Sequence, residues 1–324
     1  MKNKYILPLL TGSVTALLLS IVQLMVERPI ILLERFFPGA GWLEIMLIAF
    51  YAAWVSYNMQ DPSKQAKWRV RTWLIFSVVF FSQLLLGILG FDRFLMTGEL
   101  HLPIPMMIIG GAVFRAEFGF MPVLFLSTLI LSGPAWCSHL CYFGAFDAAM
   151  SQRKTATGSK WRLSGPFKIS VLVLVVFVAL ILRLFNVSAL YTTIIASAFG
   201  LAGLAIIFFV SPGKGRMMHC IHYCPLGTLV NYLKYINPFR LRIDDTCISC
   251  MLCTSVCRYD ALEPDNIRDR KPGITCTLCG DCLPVCRPGS FYYSFPGLNA
   301  TASRNLYLGI SVTLHAVFLA LARI

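Results

Sequence analysis

Eight of the twelve cysteines fall in two runs with the same spacing towards the end of the chain. Both runs follow the pattern C-x2-C-x2-C-x3-C, and their cysteines are Cys247, Cys250, Cys253 and Cys257 in the first and Cys276, Cys279, Cys282 and Cys286 in the second. Three thiolates on one tight loop can reach three corners of one iron–sulfur cubane. The fourth cysteine begins a helix that points elsewhere, so we expect it to serve a different cubane.

This spacing is the signature of a bacterial ferredoxin domain with two [4Fe–4S] clusters. We therefore assign Cys247, Cys250, Cys253 and Cys286 to cluster 1, and Cys257, Cys276, Cys279 and Cys282 to cluster 2. Structural zinc sites usually show two C-x2-C pairs rather than runs of four. Disulfides are uncommon on the cytoplasmic face of a membrane. Both alternatives are therefore less favoured than iron–sulfur clusters.

The other four cysteines form an internal repeat with the pattern C-x-H-x-C-x-x-G, which begins at Cys137 and again at Cys220 and includes Cys141 and Cys224. Cysteines four residues apart face the same way on a helix, so two such pairs could offer four sulfurs around one point. That arrangement suits a third iron–sulfur cluster, either [2Fe–2S] or [4Fe–4S], and also a thiol–disulfide couple or a copper or zinc site. The structural alternative is four buried thiols acting as small hydrophobic groups.

Each copy of the repeat also contains a histidine, His139 in the first and His222 in the second. Each lies two residues after a cysteine and should therefore point away from the cysteine face of a helix. We interpret both as polar groups beside the site or at an interface, and ligation of the centre is the alternative.

The composition indicates an integral membrane protein. Hydrophobic residues make up 57% of the 324 residues and charged residues 13%, against about 45–50% and about 25% in soluble globular proteins. The mean hydropathy is +0.71. These values exclude a disordered chain, and the cysteine spacing differs from that of small secreted disulfide scaffolds.

Seven apolar segments predict membrane helices, one of them broken. They lie at about 5–26, 42–58, 73–91, 102–134, 169–185, 190–211 and 305–322. The first follows Met-Lys-Asn-Lys and resembles a signal peptide, but its apolar run is too long and no small-residue cleavage site follows it. We therefore expect a retained anchor. The fold class predicted is an α-helical polytopic membrane protein with an inserted two-cluster ferredoxin domain.

Lysine and arginine are concentrated in three connecting regions, at 59–72, 137–168 and 212–304. Positively charged loops stay on the cytoplasmic side, so we predict that the N-terminus and the ferredoxin domain lie inside and the C-terminus outside. This distribution also accounts for most of the net charge of +13. A nucleic-acid partner is therefore not expected.

The segment 102–134 is too long for one upright helix, because thirty-three helical residues would span roughly 50 Å. Two crossings would place the basic region after it on the wrong side. We therefore predict one crossing at 118–134, preceded by a re-entrant or interfacial segment. Arg115 and Glu117 lie at the joint. They are interpreted as an ion pair near the interface or, alternatively, as a proton or quinone site.

Two short elements link the repeat to the ferredoxin domain. Residues 226–236 predict a helix on the membrane surface that ends at Asn237-Pro238. Alternating apolar residues at 239–243 and 291–295 predict two strands that pair with each other. The predicted domains are 1–117 (N-terminal membrane region), 118–237 (membrane region with the repeat), 238–298 (ferredoxin) and 299–324 (C-terminal transmembrane helix).

Taken together, these residues resemble the membrane polyferredoxin family, which includes the NapH-type quinol dehydrogenase subunits, the NosR regulators and the CcoG assembly proteins. The resemblance covers about 118–298 and rests on the eight ferredoxin cysteines together with Cys137, Cys141, Cys220, Cys224 and Pro225. The family often has proline after the second cysteine of both copies. Here Tyr142-Phe143 takes its place in the first copy.

The resemblance implies a subunit that passes electrons between a cytoplasmic donor or the quinone pool and a membrane or extracytoplasmic acceptor, within a larger complex in the inner membrane of a prokaryote. The alternative is a metal-reducing or metal-holding assembly factor for a respiratory enzyme, as in the CcoG proteins. No residue pattern indicates a hydrolytic or group-transfer catalyst, and none of the nucleotide-binding motifs occurs. Quinone is the natural membrane partner, although no motif shows a quinone pocket.

Overall fold

The computed structural model describes residues 4–27, 29–94, 103–156 and 164–321. The chain divides into two compact units. The first comprises Met1–His101 with Thr301–Ile324, and the second comprises Leu102–Ala300. The four predicted domains divide the chain differently. Residues 102–117 belong to the second unit, as do the membrane segments with the repeat and the ferredoxin region.

The first unit is helical. Its helices are α1 (Ile6–Met25), α2 (Leu32–Phe36), α3 (Gly41–Met59), α4 (Pro62–Ile88) and α14 (Ala300–Leu321), and a 3-10 turn covers Asp92–Phe94. Helix α4 begins where Asp61 accepts a hydrogen bond from the Ser63 N–H (3.0 Å) and Pro62 takes the first helical position. Gly12 lets α1 approach α3 closely, because a Cβ there would lie 3.1 Å from the Ala49 carbonyl oxygen.

Among the described residues, six helices are long and apolar enough to cross a membrane: Ile6–Met25, Pro62–Ile88, Phe120–Leu140, Ser164–Leu184, Ala189–Lys214 and Ala300–Leu321. They are compatible with a multi-pass membrane protein. The predicted span at 42–58 forms the 19-residue helix α3, which is not among the six. The number of seven crossings therefore stays a prediction, as does the sidedness.

The second unit begins with the broken segment. Helix α5 (Met107–Arg115) ends at Ala116, which adopts a left-handed conformation with φ of +51°, and α6 (Phe120–Ser132) follows after a short break. The predicted joint is therefore present at 116–119. The side chains of Arg115 and Glu117 are exposed. Among the described residues no ion pair joins these two side chains, and a role for either of them stays a prediction.

Five further helices follow in this unit, and two candidate membrane spans lie among them. The segments are α7 (Tyr142–Ser151), α8 (Ser164–Leu184), α9 (Ala189–Ala205), α10 (Ser211–Lys214) and α11 (Pro225–Leu233). A π-helical turn at Ile206–Val210 connects α9 to α10 without a break. The predicted helix is present: α11 continues as a 3-10 turn at Lys234–Ile236 and ends at Asn237, while its place on the membrane surface stays a prediction.

The predicted strand pair is also confirmed. Strand β1 (Arg240–Ile243) pairs antiparallel with β2 (Phe291–Ser294), with Leu241 opposite Tyr293. The alternating apolar residues point inward, and Leu241, Ile243, Phe291 and Tyr293 are all buried. Two short helices, α12 (Leu252–Val256) and α13 (Pro264–Arg268), lie between the strands. The cysteine runs follow β1 and precede β2, so the strand pair holds the two runs together.

Gly215 provides a test of this unit, because it ends α10 with φ of +63°. A Cβ there would lie 2.7 Å from the Lys154 carbonyl oxygen and also clash with that of Thr155. A left-handed conformation costs an L-residue roughly 1–2 kcal/mol before any clash. We expect Gly215→Ala to lower the melting temperature of the purified protein in detergent and its folded yield.

Gly213→Ala is the matched control, because a Cβ at Gly213 meets nothing within 4 Å and the residue lies inside the same helix. Alanine is a better helix former than glycine. Equal melting temperatures for the two variants would contradict this account of the turn after α10.

Candidate metal centres

The two copies of the repeat adopt the same backbone conformation. A π-helical turn covers Trp136–Leu140 in the first copy and His219–Tyr223 in the second. In each copy the N–H of the second cysteine donates to the carbonyl oxygen five residues earlier, at 2.9 Å for both Cys141 and Cys224. The backbone angles of these two cysteines also agree, with φ and ψ of −75° and 116° against −72° and 115°. The sequence repeat is therefore a structural repeat.

The second cysteine of each pair does not lie on the same helix as the first, which corrects the helical-face argument. Cys141 and Cys224 leave the π turn in an extended conformation and become the N-terminal caps of α7 and α11. Cys224 Sγ accepts a hydrogen bond from the Gly227 N–H at 3.4 Å. At Cys141 the N–H groups of Phe143 and Gly144 also favour the thiolate, although no side-chain capping hydrogen bond forms there. Helix N-termini favour negative charge, so each of these sulfurs lies where a thiolate is stabilised.

The four cysteines of the repeat line one cavity. The sulfurs are close enough to interact electrostatically, since Cys220 is affected by Cys137, Cys141 and Cys224. Burial raises the pKa of the Cys141 thiol to about 12 and that of the Cys224 thiol to about 11, against the effect of the N–H donors. The structure thus brings together four sulfurs from segments far apart in sequence. Metal binding here would release their protons.

Both copies of the motif have glycine three residues after the second cysteine, and in the second copy this glycine has a steric role. A Cβ on Gly227 would lie 3.1 Å from the Cys220 carbonyl oxygen. The residue also supplies the N–H that reaches Cys224 Sγ. A glycine three residues after the second cysteine therefore lets the start of α11 fold back on the π turn.

The two histidines of the repeat are buried beside the cavity. A ring nitrogen of His139 lies 2.9 Å from Ser138 Oγ, which donates to the Thr277 carbonyl oxygen at 3.0 Å. His222 is 8% exposed. Among the described residues, the lining of the cavity includes neither of these two histidines. Their placement agrees with the interpretation of both as groups beside the site.

A third histidine, His219, does line the cavity, and the sequence argument missed it. Its ring packs against Phe143 and Tyr223, with centroid distances of 5.8 and 5.5 Å. Burial lowers the pKa of this imidazole to about 4, so it is neutral at pH 7. The only sequence signal was its position next to Cys220. The first copy has Trp136 at the corresponding position, so the repeat pattern did not select it.

The buried carboxylate of Asp147, on α7, was also missed. It accepts hydrogen bonds from Ser211 Oγ (2.5 Å) and from the Cys220 N–H (3.0 Å). Burial raises the pKa of this carboxyl to about 6. One acidic side chain therefore connects α7, α10 and the second π turn. None of the sequence motifs includes it.

In the ferredoxin region the structure gathers the eight cysteines into two groups. Cys247, Cys250, Cys253 and Cys286 line a second cavity. Cys282 interacts electrostatically with Cys257, Cys276 and Cys279. The fourth cysteine of each run thus lies with the first three of the other run. The residue sets are those of the predicted clusters 1 and 2.

The two runs also share a strained backbone. The residue before the second cysteine and the residue after it have positive φ in both runs: Ser249 and Met251 in the first, Leu278 and Gly280 in the second. Three of these four are not glycine, and such conformations cost of order 1–3 kcal/mol each. The fourth cysteine of each run accepts an N–H from four residues later, Ala261 for Cys257 and Ser290 for Cys286, both at 3.3 Å. Strain of this kind persists where a bound group over-determines the loop.

Direct hydrogen bonds join the repeat to the ferredoxin region. Tyr259 Oη donates to the Cys137 carbonyl oxygen at 2.8 Å. The Met217 N–H donates to the Arg258 carbonyl oxygen at 3.0 Å. Arg216 and Asp260 form a buried ion pair at 2.5 Å. All of these ferredoxin residues closely follow Cys257. The repeat therefore adjoins the group of Cys257, Cys276, Cys279 and Cys282.

Among the described residues, no group of three or more histidine, cysteine, aspartate or glutamate side chains is arranged to hold one metal ion. The cysteines of the repeat and of the cluster 1 set line cavities, and those of the cluster 2 set interact electrostatically.

Comparison with known proteins supports iron–sulfur chemistry at the repeat. A family model described as "4Fe-4S binding domain" matches residues 116–162 and 196–243. Each matched segment contains one copy of the repeat, and both end before Cys247. Together with the twelve cysteines and the apolar helices, the match fits a membrane protein that binds [4Fe–4S] clusters.

Two curated relatives come from Methanocaldococcus jannaschii. The uncharacterized protein MJ0749 is 27% identical over 168 residues, which are 51% of this chain and 65% of the relative. The uncharacterized protein MJ0750 is 24% identical over 106 residues, which are 33% of this chain and 41% of the relative. The chain therefore spans less than two thirds of the length of either relative. No solved structure matches the chain.

The ion pair between Arg216 and Asp260 allows a test of the junction. The side chains are 9% and 3% exposed, and removing one partner of a buried pair costs about 3–5 kcal/mol. We expect Asp260→Asn to lower the melting temperature sharply and to reduce the iron retained on purification without oxygen.

Asp265→Asn is the control for this experiment, because its ion pair with Arg268 is exposed, with side-chain values of 79% and 71%. Exposed pairs contribute about 0–1 kcal/mol. An Asp260→Asn protein as stable as the control would show that the buried pair does not hold the junction.

Proposed function

We propose that this chain is a membrane-bound iron–sulfur electron-transfer subunit with two [4Fe–4S] clusters in the ferredoxin region and a third at the repeat. The observation that carries the proposal is the grouping of all twelve cysteines into three sets of four within one compact unit. When bound, such clusters accept and release single electrons, while the protein sets their positions and potentials.

The proposed ligands of cluster 1 are Cys247, Cys250, Cys253 and Cys286, which share a cavity. Those of cluster 2 are Cys257, Cys276, Cys279 and Cys282, which interact electrostatically. Thiolates are the usual ligands of iron–sulfur clusters. The N–H donors at Cys257 and Cys286 satisfy sulfur lone pairs and stabilise negative charge.

The proposed third centre takes Cys137, Cys141, Cys220 and Cys224. Three features of the cavity fit such a group. Cys141 and Cys224 are buried, both are the N-cap residues of helices, and the side chain of Lys168 lies close enough to act on Cys137 and Cys224. The family match to both copies of the repeat favours [4Fe–4S] over the other centres that the sequence allowed.

The proposed partners are the membrane and other redox subunits of a complex. Cys250 is exposed, and the neighbouring Ile248 is 68% exposed, so the cluster 1 end is open to a partner protein. The basic connecting regions favour a cytoplasmic ferredoxin region, an inside N-terminus and an outside C-terminus in a prokaryotic inner membrane. The proposed route joins a cytoplasmic donor or the quinone pool to a membrane or extracytoplasmic acceptor. Likeness to the NapH, NosR and CcoG proteins belongs to this proposal.

A second candidate function is metal reduction or metal holding for the assembly of a respiratory enzyme, in the manner of the CcoG proteins. The observation that favours it is the neutral imidazole of His219 in the same cavity as the four thiols. Soft sulfur ligands with imidazole suit copper.

Iron analysis tests the three-centre proposal. Protein purified without oxygen should hold about twelve irons and as many sulfides per chain, from three four-iron clusters. Cys137→Ser with Cys220→Ser should reduce this to about eight, because the third centre loses two ligands while both ferredoxin groups keep all of theirs. An unchanged iron content in the double variant would contradict the proposal of a third centre. A colourless wild-type protein that holds zinc instead of iron would contradict the proposal of all three centres.

Reduction in native membranes distinguishes the two functions. For the electron-transfer subunit we expect quinol to reduce the clusters, seen as bleaching of the visible absorbance. For the assembly factor we expect copper binding that is lost in the variant with Cys137→Ser and Cys220→Ser. Copper binding without quinol-driven bleaching would favour the assembly factor over the electron-transfer subunit.

A further inference from the structure

The side chain of Lys234 links the segment that starts at Cys224 to the backbone at Cys276. It lies in the 3-10 turn that follows α11, and α11 starts at Pro225, directly after Cys224. The side chain is buried. Its Nζ donates to the carbonyl oxygens of Ile274 at 2.6 Å and of Cys276 at 3.1 Å. Two hydrogen bonds thus fix one ammonium group beside the second cysteine run.

The same ammonium group faces a sulfur from each of two cysteine groups. It lies close enough to act electrostatically on Cys276, of the cluster 2 set, and on Cys137, of the repeat. Other charged groups near it are Arg240, which opposes its charge, and Lys168, which acts on Cys137 from α8. No interaction of Lys234 among the described residues involves the cluster 1 cysteines.

We propose that Lys234 is a positioning residue shared by two centres, with a positive charge that raises the reduction potentials of both the cluster 2 site and the repeat site. Reduction adds negative charge, and a fixed cation in a low-dielectric interior stabilises that charge more than one in water. The two hydrogen bonds also set how closely the two sites approach. The inference rests on the proposed function, because it assumes that both sites hold redox centres.

The placement makes a specific distinction between the three centres. Lys234 acts on two of them. Lys168, which lines the cavity of the repeat, acts on Cys137 and Cys224. Lys271 is exposed in the ferredoxin region and should act on none. The buried Lys234 and Lys168 therefore form a matched pair of substitutions, and the exposed Lys271 is the surface control.

The experiment is a redox titration of the complete protein without oxygen, followed by electron paramagnetic resonance. Cys250→Ser, Cys279→Ser and the double variant Cys137→Ser with Cys220→Ser assign the signals to cluster 1, cluster 2 and the third centre. Lys234→Gln should shift the potentials of cluster 2 and the third centre to more negative values and leave cluster 1 unchanged. Lys234→Arg keeps the positive charge and should leave both potentials at their wild-type values. Lys168→Gln should shift the potential of the third centre alone. Lys271→Gln should shift no potential.

Equal shifts of all three centres, or no shift at cluster 2, would overturn the inference. A second measurement uses unaltered Lys234 and so does not depend on the stability of its variants. Loss of the third centre through Cys137→Ser with Cys220→Ser should change the line shape of the cluster 2 signal, because the two paramagnets adjoin. A change confined to cluster 1 would contradict the proposed junction. Twelve irons with unshifted potentials would refute the role of Lys234 alone, whereas eight irons would refute the third centre.

Discussion

Sulfur atoms held by backbone N–H groups are the constraint on which the rest of the molecule depends. Cys224 accepts from Gly227, Cys257 from Ala261 and Cys286 from Ser290. A thiol fixed in this way has little freedom, and the backbone on either side must follow a defined path. At the repeat the consequence is largest, because each second cysteine begins a helix. Cys141 and Cys224 are the N-cap residues of α7 and α11. Asp147 lies on α7, and Lys234 lies in the turn that follows α11.

The internal repeat creates a nearly symmetric frame with asymmetric contents. The two π turns and their second cysteines have almost the same backbone angles. The residue that opens each turn differs, with Trp136 in one copy and His219 in the other. Asp147, from the first copy, holds the Cys220 N–H of the second. A duplicated element thus provides four sulfurs, while single substitutions around them set the charge and polarity of the cavity.

Much of this architecture could be predicted from the sequence, because local spacing determines it. The strand pair, the helix that ends at Asn237, the break near Arg115 and the grouping of the fourth cysteine of each run with the other run all follow from short patterns. The path through the repeat could not be predicted, because a four-residue spacing suggests one helix, whereas the chain forms a π turn and then a new cap. His219, Asp147 and Lys234 were missed for a related reason. Their roles depend on which segments meet, and no local pattern carries that information.

The apolar helices fit a multi-pass membrane protein, and the twelve cysteines fall into three groups, among which Cys250 is exposed. The most direct test is anomalous scattering at the iron absorption edge from crystals grown without oxygen. The account predicts three separate iron peaks, one of them within the cavity of Cys137, Cys141, Cys220 and Cys224. Two peaks in the ferredoxin region, with a disulfide or no iron among those four cysteines, would contradict it.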